Sequence, residues 1–197
     1  MKRYDRAYFQ RWYHEPDAPL DRGSLERDVR LAVAAAESIL ARPVAGVLDV
    51  GCGEGRWQPV LAGLRPDADY LGLEPSAWAV ERWGEERGIR QGRFEELARE
   101  PFSEPFDLVV CADVLHYLDD DALLAGIETL ADLVGGVAFL EIFTAEDPEL
   151  GDREDFHDRP AAWYRRAFRS VGLRPLGLQL WVHEETAATL AALELPG

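Results

Sequence analysis

Three glycines fall within five residues, Gly51-Cys52-Gly53-Glu54-Gly55, directly after the apolar run Val44 to Val50. Glycines at such a point let the backbone take φ values that other residues resist and approach a ligand closely. The spacing is G-x-G-x-G, and Arg56 stands where a dinucleotide fingerprint needs its last glycine to seat a pyrophosphate on a helix N-terminus. A plain tight turn between a strand and a helix is the alternative. Glu74 closes another apolar stretch; a carboxylate there can accept two hydrogen bonds from a ribose diol, or stand as a loop acid. Arg93-Phe94-Glu95-Glu96-Leu97 sets one apolar ring among acceptors, a set able to frame a purine. Cys111-Ala112-Asp113-Val114-Leu115-His116-Tyr117-Leu118 is an apolar loop with a polar tip. His116 is the first candidate for a general base, since imidazole titrates near neutrality. A structural place, beside a ligand or at the start of the next helix, suits it as well. His157 and Glu141 are further proton acceptors for which a surface or core-edge role is equally open.

Along the chain, the aromatic residues Tyr4, Tyr8, Phe9, Trp12 and Tyr13 recur three to four apart, one face of a helix that Pro16 and Pro19 end. The spacing predicts a second helix over Ser24 to Ala41, with Ser24 as its cap and Pro43 beyond it. Strands are expected at Val44 to Val50, Tyr70 to Leu73, Ile89 to Phe94, Phe106 to Cys111, Val137 to Phe143 and Leu176 to Val182. Helices fall between them: one through Trp57 and Leu64, Ala77 to Glu86 capped by Ser76, Asp119 through Leu133, and Pro160 to Val171. Gly135-Gly136 reads as a turn, and Glu184 to Leu193 as a closing helix. Strands alternating with helices indicate an α/β domain, a doubly wound and mostly parallel sheet with helices on both faces. Such sheets bind ligands at the carboxyl ends of their strands, where the glycine turn, Glu74 and the Cys111 loop all fall.

The 197 residues carry a formal net charge of -16, which repels phosphate backbones and anionic lipid, so neither nucleic acid nor membrane is an expected partner. The one dense basic cluster, Tyr164 to Arg169, reads as the outer face of a helix. No apolar run has the ~18 residues a membrane span needs, and no apolar core follows the charged N-terminus as in a secretory signal. Cys52 and Cys111 sit in apolar segments without CxxC spacing, which suits a reducing cytoplasm; the scattered histidines give no metal pattern, so no metal is expected.

Together these motifs resemble the class I S-adenosylmethionine-dependent methyltransferases of small-molecule type. Val47-Leu48-Asp49-Val50-Gly51-Cys52-Gly53-Glu54-Gly55 is similar to the family's first motif, and Leu71-Gly72-Leu73-Glu74-Pro75-Ser76 to its second. Phe106 to Cys111 with Val114 to Leu118 resembles the fourth, and Gly135 to Glu141 the strand of the fifth. The resemblance implies a Rossmann-like sheet of six or seven strands under an N-terminal helical lid; the antiparallel seventh strand is not evident in the sequence. It implies one domain over 1–197: a helical cap (1–42), a cofactor-binding core (43–182) and a helical tail (183–197). The cofactor would be S-adenosyl-L-methionine, with Gly51 and Gly53 toward its methionine part and Glu74 on the ribose. Phe94 and Glu95 would flank the adenine, and Cys111 would meet the amino group through its backbone. Asp49, Cys52, Pro75 and Ala112 belong to the same motifs and are carried with them, and Tyr8 and Tyr13 of the lid resemble tyrosines that reach the cofactor carboxylate. Gly92 is followed by Arg93 where the family usually has an acid, so Glu95 or the backbone would hold the adenine amino group. The activity implied is in-line methyl transfer to a small-molecule acceptor; a non-catalytic cofactor-binding protein and a methyltransferase of proteins are the alternatives. A homodimer is left open.

Overall fold

In the computed structural model, residues 4–15, 22–148 and 152–190 are described. The expected stops Pro16 and Pro19 lie outside them; the closing helix expected over Glu184 to Leu193 is helical only to Ala187, with turns through Leu190, and its last three expected residues lie outside. A single turn of helix, α1 (Arg6–Phe9), is capped by the Asp5 carboxylate and runs into a π-helical turn at Gln10–His14. Helix α2 (Arg22–Leu40) begins two residues before Ser24, so that serine lies inside the first turn and is not the cap. The α/β body follows: β1 (Gly46–Val50), α3 (Trp57–Leu64), β2 (Asp69–Glu74), α4 (Ala77–Arg87) and β3 (Ile89–Gln91). After it come β4 (Phe106–Ala112), α5 (Asp120–Asp132), β5 (Val134–Glu141) and α6 (Ala161–Ser170), then β6 (Leu173–Gly177), β7 (Leu180–His183) and α7 (Glu184–Ala187).

The seven strands are ordered β3-β2-β1-β4-β5-β7-β6, and the order reverses between β1 and β4. β1 to β5 are parallel; β7 pairs antiparallel with both β5 and β6. Three sequence expectations are corrected here. Leu176 to Val182 is two strands, because Leu178 and Gln179 both take positive φ (51° and 66°) and reverse the chain. This hairpin supplies the seventh, antiparallel strand. The third strand stops at Gln91, and Phe94 instead opens a 3-10 helix, Phe94–Arg99. Gly135-Gly136 is not a turn but part of β5.

Alternation along the strands divides the core into two layers, as a period of two requires. Leu48, Val109, Cys111, Ala138 and Leu140 face Leu123, Ile127 and Leu130 of α5 and Phe168 of α6. Val47, Leu108, Val110, Val137 and Phe139 face Val29, Val33 and Ala36 of α2 and Trp57 and Leu61 of α3. Helix α6 buries Tyr164, Ala167 and Phe168 and exposes Arg165, Arg166 and Arg169, so the basic cluster is an outer helix face. At the amino ends of the strands, Arg42 grips Asp107 with two 2.7 Å hydrogen bonds, and Asp107 also accepts the Ala45 N–H. The opposite end is left to the cavity.

Candidate active site

The cavity opens at the carboxyl ends of β1, β2 and β4, beside the reversal in strand order. Gly51 and Gly53 form its floor with Glu74 and Pro75; Phe94 and Glu95 stand at one end. Ala112, Asp113, Val114, Tyr117 and Leu118 make the wall after β4, and Tyr4, Tyr8, Phe9 and Tyr13 form the roof. A wider cleft continues outward past Tyr4 and Leu118 to Asp5, Asp155 and His157.

The floor depends on missing side chains. Gly51 has φ 72°, and a Cβ on it would stand 2.4 Å from Val114 Cγ2; Gly53 has φ 57°, and a Cβ there would stand 2.4 Å from Tyr13 Oη. The turn is held from below, since the N–H groups of Gly51 and Cys52 both donate to the Leu73 carbonyl at 2.8 and 3.1 Å. Glu74 is 4% exposed, and its carboxylate accepts the Gly53 N–H on Oε2 and the Ser76 N–H on Oε1, each at 2.9 Å. Burial raises its pKa, and the two N–H groups oppose the rise. A carboxylate offers about four acceptor directions, so two remain after the backbone is satisfied. That is the arrangement a vicinal diol needs.

Asp49, Cys52 and Cys111 do not reach the cavity. Asp49 lies under the turn and accepts from the Tyr70 hydroxyl at 2.7 Å; burial pushes it up to about 7 despite that bond. Cys52 packs its sulfur over Gly72, and Cys111 is a core residue of β4. His116 does not line the cavity either. It is fully buried among Tyr117, Phe143 and Phe156, and its Nδ1 accepts the Phe143 N–H at 3.3 Å. An imidazole that accepts at Nδ1 carries its proton on Nε2 when neutral. That Nε2 stands 3.1 Å from Asp113 Oδ1, near enough for attraction but at an angle too poor for a hydrogen bond. Neither nitrogen of the buried ring opens on the cavity. Glu141, at the end of β5, is raised to about 7 by burial, then by Asp113 and Asp28, and its carbonyl accepts the Asp113 N–H. His157 lines the wider cleft, its N–H on the His116 carbonyl at 2.8 Å.

Asp113, Val114 and Tyr117 line the cavity beyond the residues that the motifs single out. Asp113 had a signal: a polar residue immediately after a buried parallel strand sits where such folds bind ligands. Its φ is 60°, which Asp tolerates better than most side chains. Arg159 carried no such signal. It is buried, and it ties the loop after β5 to the site by donating to Asp120 and to the Leu118 carbonyl.

The roof is pinned at both ends. The Ser76 hydroxyl donates to the Tyr4 carbonyl while accepting the Ala79 N–H. His14 Nε2 meets Glu54 Oε1 at 2.8 Å, and Phe9 stacks on Trp78 with ring centroids 5.0 Å apart. Among the described residues no group of three or more His, Cys, Asp or Glu side chains is gathered as a metal site would require.

A family model described as a methyltransferase domain matches residues 22–181. The trans-aconitate 2-methyltransferase of Deinococcus radiodurans is 37% identical over 79 residues, 40% of this chain and 30% of that protein. A ubiquinone biosynthesis O-methyltransferase of Xanthomonas campestris pv. campestris is 33% identical over 141 residues, 68% of this chain and 56% of that protein. The chain thus spans little more than half, or less, of the length of these relatives. Among solved structures, an S-adenosylmethionine-dependent methyltransferase from Clostridium acetobutylicum superposes with a TM-score of 0.64 at 13% identity, covering 87% of each chain.

Proposed function

Because the chain belongs to the class I S-adenosylmethionine-dependent methyltransferase family, we propose that it transfers a methyl group to a small-molecule acceptor bound in the cavity under the α1 roof. When bound, S-adenosylmethionine supplies a methyl group activated on a sulfonium. The residues present fit that group: Gly51 and Gly53 bring bare backbone to the cavity floor, and a buried carboxylate with two spare acceptor directions lines the same cavity. The Glu74 to Gly53 hydrogen bond is the observation that carries the reading, because it joins the diol-binding acid to the glycine turn in one rigid unit.

In this reading Glu74 holds the ribose diol, and Phe94 and Glu95 flank the adenine. Gly51, Gly53 and the backbone of Ala112 receive the methionine part. Tyr8 and Tyr13 present ring faces suited to a sulfonium and close the cavity to water. Asp49, Cys52 and Cys111 support the floor and the β4 wall from behind. The chain's contribution to the reaction is then positioning and exclusion of water, the larger part of what an in-line displacement asks of a protein. Residues 1–42, 43–182 and 183–197 act as cap, core and tail of a single cytoplasmic domain. Among the described residues no helix is long and apolar enough to cross a membrane.

Calorimetric titration with S-adenosylhomocysteine, with NAD as control, tests the reading. Tight binding of the first alone is expected. Binding of NAD in its place, or of neither, would overturn the proposal.

A further inference from the structure

Resting on the reading that the cavity holds the methyl donor, the wall left over must recognise the acceptor. Its charge is one-sided. Asp113, Glu74 and Glu95 line the cavity, and among the described lining residues Arg93 is the sole cation. The Arg93 side chain is half exposed and stands 3.5 Å from Glu95, beside Phe94 at one end. Glu74 is committed to the floor through its two backbone N–H groups. That leaves Asp113 as the carboxylate of the β4 wall.

Its placement is specific. The left-handed backbone at Asp113 is locked by its N–H on the Glu141 carbonyl at 3.0 Å, and the buried His116 faces Oδ1 from behind. Burial, and after it the Asp113 carboxylate, pushes the Tyr117 phenol upward. Asp113 lines the same cavity as Tyr4, Tyr8, Tyr13 and Tyr117, so one carboxylate shares that space with four tyrosine rings. A carboxylate among aromatic faces is a site for an organic cation, and it meets a carboxylate ligand with like charge.

We propose that the acceptor is an amine, drawn in as its ammonium with the Asp113 carboxylate as counter-ion and the Tyr8 and Tyr117 rings as walls; the ammonium gives up one proton to solvent through the half-exposed Asp113 carboxylate, and the freed nitrogen lone pair takes the methyl group as the methyl–sulfur bond breaks and leaves a thioether. The 197-residue chain saturated with S-adenosylhomocysteine is titrated with 2-phenylethylamine, 2-phenylethanol and phenylacetate, which share a ring and differ in charge. The amine should bind at least about tenfold more tightly than phenylacetate. Asp113→Asn should erase that preference while S-adenosylhomocysteine affinity stays within about threefold, the scatter of a near-neutral change. Asparagine tolerates the left-handed conformation as aspartate does, so the variant keeps its fold, with the thermal midpoint as the check. Four results overturn the proposal: equal or tighter binding of phenylacetate or 2-phenylethanol, a preference that survives Asp113→Asn, no binding of any probe, or a variant that loses affinity for S-adenosylhomocysteine. The last would assign Asp113 to the methyl donor's own ammonium. Failure of the wild-type protein to bind S-adenosylhomocysteine strikes the underlying reading instead, and the three probes on the ligand-free chain still decide the charge preference.

Discussion

The Tyr70 hydroxyl donates to Asp49 Oδ2 at 2.7 Å across neighbouring parallel strands, directly beneath the glycine turn. Burial holds Asp49 up at about 7 and Glu141 at about 7, and it raises Glu74 as well. An acid raised in the folded state binds its proton more tightly there than in the unfolded chain. It therefore contributes stability that is complete below the unfolded value near 4 and is lost as pH rises through 7. The melting temperature should fall between pH 4.5 and 7.5. Asp49→Asn should flatten that slope, with a contribution on the order of 1–3 kcal/mol. A slope unchanged by the substitution would show that Asp49 does not carry it.

Tyr70→Phe removes a donor to the buried Asp49 carboxylate. Urea unfolding near pH 7 should show a loss of about 1–3 kcal/mol, smaller at pH 4.5 where Asp49 is protonated.

Glu74→Gln removes the charge offered to the diol and sets its amide NH2 against one of the two backbone N–H groups that the carboxylate accepts. Affinity for S-adenosylhomocysteine should drop by about 2 kcal/mol, roughly thirtyfold. A dissociation constant that does not move would separate Glu74 from ligand binding.

Gly51→Ala should cost about 2–4 kcal/mol in unfolding, since the new Cβ combines a positive φ with a clash on Val114. The double variant with Val114→Ala should recover the part due to the clash and leave the backbone part. Full recovery would mean that the φ of this position costs alanine nothing.

His116→Ala should destabilise the fold by about 2–4 kcal/mol, because it opens a cavity and strands the Phe143 N–H. Turnover per folded molecule should stay within about tenfold, short of the loss a general base causes. A rate loss of a hundredfold or more with an unmoved melting temperature would restore the catalytic role.

The alternation of strands with helices and the position of the cavity were legible because the glycine turn, Glu74 and the β4 exit are all local signals at strand ends. The hairpin between β6 and β7 was not. A tight two-residue reversal ordinarily advertises itself with Gly or Asn at positive φ, and here Leu178 and Gln179 take those places. Pairing of Ala138 and Phe139 in β5 with Trp181 and Leu180 in β7 overrides their local preference. Asp49 sits in a motif expected at the ligand, yet strand alternation turns its side chain inward, a face assignment that motif spacing alone does not reveal. His116 is a similar case. Its burial follows from Phe143 and Phe156, which lie 27 and 40 positions further along the chain.

The strand order also governs how the molecule meets its own copies. One end of the sheet is β3, only three residues long. The other is β6, where Pro175 supplies no N–H and the register shifts before Gly177. Both ends are poor templates for an added strand, and a net charge of -16 adds repulsion between chains. A sheet continued from one molecule into the next is thereby disfavoured, and any self-association is left to the helical faces.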